Sequence, residues 1–403
     1  MRKAASFEEA LSFAADLIRI PGLSGQEAAV AARVREEMEA LGLSDVRVDA
    51  AGNVIGVARG RGAAPAVMLA SHLDVVAEGD AAEWEVPPFS GETRDGFLHG
   101  RGAMDIKGPL ALQTHVAASL IGRAPGDVIV AHTVLEERAG LGMRHLLESG
   151  TVDPAAVILG EATHGDVCSG HRGRAELEIV IEGVAGHASV PDRARNALDL
   201  LGEALAAVHD LAAGRATDPL LGEETLVATM VDVRPETRNV IPDLAVVAID
   251  WRILPGADES SLVARLGEAL EARIGEPPEG LRYGARFARE LQRTYTGLEE
   301  VVSFLSPGFS MAADHPVVRA AAAAAGTRGG SGPAGVRPWR FATDGGWTCG
   351  VHGIPTVGFA PGEERYAHTN RERLDLGEAR WAYERYAGVI GAVQEAVRAV
   401  PGA

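Results

Sequence analysis

Apolar residues recur at helical spacing twice near the start of the chain: Phe7, Leu11, Ala14, Leu17 and Ile18, then, after the turn PGLSG, Ala29, Val30, Val34, Met38 and Leu41. Stripes repeating every three to four positions predict two amphipathic helices over 7–42. The pattern then becomes strand and helix in turn. Short strands are predicted around Val46–Val48 and Val54–Val57, and at AVMLAS, DVIVAHTVL and AAVILG, with helices after Gly108 and near Gly140–Glu148. Nearly continuous apolar strands separated by helices predict a parallel or mixed sheet covered on both faces.

After Gly170 the texture changes. RAELEIVIEG alternates apolar and polar residues, as a strand with one wet face does; an amphipathic helix (ALDLLGEALAAVHDLAA), the strands TLVATMVDV and LAVVAIDWRI, a second helix (SSLVARLGEALEARI) and a candidate fourth strand, LRYGARFAREL, follow. Strand, helix, two strands, helix, strand is the order of a split βαβ unit. The chain therefore reads as an α/β domain from 1–171 and 294–403, with a small ferredoxin-like α+β domain inserted at 172–293. In the last part, HPVVRAAAAAAG and EARWAYERYAGVIGAVQEAVRAV are helices and IPTVGFA is a buried strand. GTRGGSGPAG lacks the Lys-Ser/Thr of a phosphate loop and reads as a surface loop.

With 403 residues, 46% hydrophobic and 23% charged, the chain can bury sizeable cores, and its net charge of −18 disfavours phosphate backbones and anionic lipid. No binding to nucleic acid or a membrane is expected. Cys168 and Cys349 share no metal-binding spacing, and no apolar run reaches a membrane span, so a cytoplasmic location is expected.

Five segments at predicted strand ends carry hard-metal ligand types: HLDVV with His72 and Asp74, GRGAMDIKG with Asp105, VLEER with Glu136 and Glu137, LGEAT with Glu161, and YAHTN with His368. An α/β sheet builds its binding crevice at such ends. Imidazoles and carboxylates without a thiolate suit Zn²⁺, with Co²⁺ or Mn²⁺ as substitutes.

Those segments, with GVAGHASVPDRARNA and GIPTVGFAPGEERYAHTNRE, resemble the zinc-dependent peptidases and amidohydrolases that include acetylornithine deacetylase, succinyl-diaminopimelate desuccinylase, aminoacylase and glutamate carboxypeptidase. The resemblance spans nearly the whole chain. It implies two zinc ions per subunit, one held by His72 and Glu161, the other by Glu137 and His368, with Asp105 bridging. Such a pair lowers the pKa of a shared water. The resemblance makes Glu136 the general base, lets Asp74 orient His72, and brings His187 of the inserted, dimer-forming domain to the partner's active site in a homodimer. Asn239 and Arg252 match substrate-contacting segments, Arg252 as a fork for a carboxylate.

Neighbours on an extended chain point to opposite sides, so Glu136 and Glu137 can share one site only where the strand gives way to a loop. FATDGGWTCGVHG departs from the family's usual run, and Trp347, Cys349 and His352 there alter the pocket wall. His352 reads as structural and Cys349 as a buried thiol. The leading reading is an amidohydrolase acting on an N-acyl amino acid with a free carboxylate. The alternatives are a metallo-carboxypeptidase or dipeptidase acting on a short peptide and, from another class, a noncatalytic metal-dependent binding protein.

Overall fold

The structure, a computed structural model, describes residues 5–399. Its longer elements are, in chain order, α1 (Phe7–Ile18), α2 (Ala28–Leu41), β1 (Ser44–Val48), β2 (Val54–Ala58), β3 (Val67–His72), α3 (Lys107–Ser119), β4 (Val128–Thr133), α4 (Leu141–Glu148), β5 (Ala156–Leu159), β6 (Gly173–Glu182), α5 (Leu201–Ala213), β7 (Thr225–Arg234), β8 (Leu244–Ile253), α6 (Glu259–Ile274), β9 (Arg282–Phe287), α7 (Pro316–Ala325), β10 (Thr356–Gly358) and α8 (Leu376–Arg398). They form two compact units. The first comprises the chain through His171, Gln292–Glu300 and the chain from Ser310; the second comprises Arg172–Leu291 and Val301–Phe309.

The first unit is built on an eight-stranded mixed sheet in the order β1-β2-β4-β3-β5-β10, continued by Val167–Cys168 and Val336–Arg337. The apolar runs behave as expected: every residue of β2, β3, β4 and β5 is buried. Helix α3 is buried on all sides from Lys107 to Ala118, and its polar groups are partnered inside the protein. Gln113 accepts from the Ser71 hydroxyl and donates to the Ile158 carbonyl, and the Lys107 ammonium donates to the Ile20 carbonyl at 2.7 Å. Such pairing offsets the cost of burying polar groups.

The second unit is an antiparallel sheet in the order β7-β8-β6-β9, the ferredoxin-like arrangement anticipated from the sequence. Alternation along β6 sends Ala175, Leu177, Ile179 and Ile181 into a core with Val247, Ile249 and Trp251 of β8 and Leu262, Leu266 and Leu270 of α6. Each buried Val, Leu or Ile side chain here contributes about 1.5–3 kcal/mol.

Several boundaries differ from the sequence pattern. Residues 197–200 form a 3₁₀ turn ahead of α5, and the fourth strand stops at Phe287. Leu305–Ser306 returns to pair with Arg174–Ala175 of β6, so the second unit recruits chain beyond the expected boundary at 293. Apolar periodicity cannot register a two-residue strand.

Candidate metal centre

Parallel pairing aligns the strand ends. His72 lies opposite Thr133 across β3 and β4, Ala70 opposite Leu159 across β3 and β5, and Gly358 opposite Leu159 across β10 and β5. The chain leaving each strand at this edge carries the candidate ligands: His72 itself, Glu136 and Glu137, Glu161, and then His368. Close approach is needed here: a Cβ on Gly160, just before Glu161, would stand 2.2 Å from the Ser71 hydroxyl.

Two groups of potential ligands converge, His72 with Asp105 and Glu161, and Asp105 with Glu137 and His368. The imidazole Nε2 of His72 lies 3.3 Å from Asp105 Oδ1 and 3.5 Å from Glu161 Oε1. His368 Nε2 lies 3.3 Å from Asp105 Oδ2 and 3.0 Å from Glu137 Oε1. Asp105 thus turns one oxygen to each group. Two ligands about 2.1 Å from one tetrahedral ion are about 3.4 Å apart, so these separations fit a divalent cation in each group.

The electrostatics point the same way. Burial, reinforced by neighbouring carboxylates, pushes Glu136 and Glu161 well above the usual range and raises Glu137. Burial also acts on Asp105, but hydrogen bonds from His368 and His72 outweigh it and hold that carboxyl low. His368 is pushed up to about 10 by Asp105 and Glu137. Packed acids that resist ionisation and imidazoles that attract protons are a site short of positive charge.

Both glutamates reach this site because the strand ends early. β4 stops at Thr133, Leu135 takes φ 54°, Glu136–Arg138 form a 3₁₀ turn, and Ala139 and Gly140 take φ 70° and 72°. The amides of this turn are caught one after another by side chains. Val134 N donates to Asn53 Oδ1 (3.0 Å), Leu135 N to Glu27 Oε1 (3.2 Å), Glu136 N to Asp74 Oδ1 (3.1 Å) and Glu137 N to Asp74 Oδ2 (3.2 Å).

Asp74 therefore does more than the sequence suggests. β3 ends at His72, so the two residues do not share a strand face; His72 Nδ1 meets the Asp74 backbone carbonyl at 2.9 Å and the carboxylate only at 3.5 Å. The carboxylate also accepts from the Ser24 hydroxyl at 2.7 Å.

Sequence reasoning missed four supporting residues. Glu27 and Asn53 hold the turn. Glu372 accepts from the amides of Met104 and Asp105 and pairs with Arg101. Asp344 accepts from the Thr133 hydroxyl at 2.9 Å, and burial pushes it up to about 7. Their partners are mostly backbone amides and one hydroxyl, which leave no ligand spacing in a sequence. Trp347 donates from its indole to the Ala139 carbonyl, and Cys349 is half-buried, not buried, its thiol pushed up to about 11.

In the comparison with known families, residues 68–392 match the model for peptidase family M20/M25/M40. The chain belongs to the peptidase M20 family. It is 30% identical over 366 residues to the uncharacterized protein YgeY of Escherichia coli, covering 90% of this chain and 88% of that one. It is 33% identical over 279 residues to the succinyl-diaminopimelate desuccinylase of Phenylobacterium zucineum, covering 66% and 72%. A Bacillus subtilis protein described as a dinuclear metal-binding peptidase of the M20 family shares the fold, with a TM-score of 0.70, 18% identity and coverage of 96% and 98%. This M20 chain is accordingly a hydrolytic enzyme.

Three further residues singled out in the M20 chain's sequence, His187, Asn239 and Arg252, lie in the second unit. His187 is exposed on a two-residue strand opposite Val240, with its Nδ1 accepting from the Ser189 hydroxyl at 2.7 Å. Asn239 is next to it: its carbonyl accepts from the Ala188 amide. Arg252, on β8, is half-buried and its guanidinium is held by Asp250 at 2.8 Å.

Proposed function

We propose that the protein is a dizinc amidohydrolase that removes the acyl group from an N-acyl amino acid with a free carboxylate. The observation that carries this reading is the division of the Asp105 carboxylate between two ligand groups, with the half-buried Glu136 within electrostatic reach of His72. His72, Asp105 and Glu161 would hold one cation, and Asp105, Glu137 and His368 the other. When bound, a zinc pair, with cobalt or manganese as substitutes, supplies Lewis acidity to the scissile carbonyl and lowers the pKa of a water.

Glu136 takes a proton from the attacking water and delivers it to the leaving amine nitrogen, a shuttle contributing about 10²- to 10⁴-fold in rate. Burial favours its protonated form, which suits a group that must hold the proton between the two transfers. Asp74 fixes the backbone of Glu136 and Glu137. Deacylation is favoured over peptide cleavage by the likeness to a desuccinylase.

A homodimer is part of the reading. β7 forms an edge of its sheet and exposes Val227, Met230 and Val231, an apolar strip suited to pairing with its own copy. Within such a dimer His187 of the partner subunit would help to stabilise the developing oxyanion. Asn239 stands beside His187 as a substrate contact, and Arg252 would grip the substrate carboxylate in competition with Asp250. Two unpaired cysteines suit a reducing cytoplasm.

The test is hydrolysis of N-acetyl, N-succinyl and N-formyl amino acids and of dipeptides by the zinc-loaded protein, alongside Glu136→Gln. Deacylation by the wild type, and loss of turnover in Glu136→Gln at unchanged metal content, are expected. Preference for dipeptides would move the assignment to a peptidase, and an active Glu136→Gln would remove the base. Indifference to esterification of the substrate carboxylate would count against Arg252.

A further inference from the structure

Glu27 is absent from the ligand groups, yet it is wholly buried and reaches the turn that carries both site glutamates. It stands at the N-cap position of α2 without bonding the helix through its side chain, and its Oε1 accepts from the Gly25 amide at 2.9 Å and from the Leu135 amide at 3.2 Å. Leu135 is the residue that leaves β4 with φ 54°, a left-handed conformation that costs a non-glycine residue energy and persists only where the surroundings impose it.

We infer that Glu27 is a positioning residue: by accepting the Leu135 amide it holds the left-handed step that aims the Glu136 carboxyl into the site. The inference rests on the reading of Glu136 as the base. Asp74 fixes the next two amides and Asn53 the one before, while Glu27 supplies the side-chain acceptor for Leu135, the residue at which the chain reverses its hand. Its other oxygen, Oε2, is buried without a hydrogen-bond partner, so the contribution lies in the Oε1 contacts. A base displaced by about 1 Å loses on the order of a hundredfold in rate.

Two conservative variants separate this role from a purely electrostatic one. Glu27→Gln keeps an acceptor oxygen at the same reach and discards the charge; Glu27→Asp keeps the charge and withdraws both oxygens by about 1.5 Å. The zinc-loaded variants are assayed on the N-acyl amino acid that the wild type cleaves fastest, with metal content, Tm and amide hydrogen exchange across 134–137 measured alongside. The expected result is Glu27→Gln within about threefold of wild type and Glu27→Asp down 10- to 100-fold in kcat, with KM and metal content unchanged and exchange accelerated at 134–137 in Glu27→Asp alone. Full activity in Glu27→Asp, or equal loss in Glu27→Gln, would overturn the inference. So would a loss of kcat that tracks Tm or metal content, the mark of a scaffold residue. Turnover retained by Glu136→Gln would instead overturn the base reading and, with it, Glu27's part in the reaction, while the exchange at 134–137 would still report whether the hold on Leu135 exists.

Discussion

At the scale of single residues, Asp105 has the most demanding position. One carboxylate faces both ligand groups, and Glu372 fixes it from behind by accepting the Asp105 amide at 3.1 Å. An amide in its place offers one oxygen and a nitrogen that does not ligate. Asp105→Asn is therefore expected to lose both metals on dialysis, falling from about two per chain to well under one, whereas Glu161→Gln loses chiefly one. Elemental analysis of the dialysed proteins reads the difference, and equal retention in both variants would mean that Asp105 does not bridge. The ligand types were legible in the sequence because they follow apolar strands in a row. Glu27, Asn53 and Asp344 were not, because a residue that grips an amide or a hydroxyl can sit at any spacing.

At the scale of elements, the sheet that aligns the ligands also buries a histidine. His132 on β4 is pushed down to about 3 by burial, and its Nε2 lies 2.9 Å from the Thr114 hydroxyl of α3. The unfolded chain takes up that proton near pH 6.5, the native one only near 3, so acidification through this window favours unfolding by about 1.4 kcal/mol per pH unit. By pH 5 the loss is about 2 kcal/mol relative to pH 7. Urea titrations at both pH values should show a smaller drop for His132→Gln than for the wild type; equal drops would mean that His132 titrates normally in the native state. The strands and helices themselves follow the hydrophobic pattern closely. Their ends do not: β4 reads as continuing to Leu135 because Val134 and Leu135 are apolar, yet side-chain acceptors take the amides that a ladder would have used.

At the scale of the whole molecule, the edge strand β7 carries the association prediction. Met230 is 62% exposed on it, and a lysine there would place charge on a strip that pairing would bury. Met230→Lys is expected to shift sedimentation towards the monomer and to lower turnover through loss of the partner's His187, with metal content unchanged. A wild-type monomer at all concentrations, fully active, would remove both the dimer and that histidine's role. The order of the ligands along the chain has a separate consequence. His72, Asp105, Glu137 and Glu161 precede the second unit, and His368 follows it. During synthesis one triad is therefore complete before the inserted segment emerges from the ribosome, while the other waits for all of it. Asp105 belongs to both groups, so the chain made after the second unit completes its surroundings only when His368 is in place.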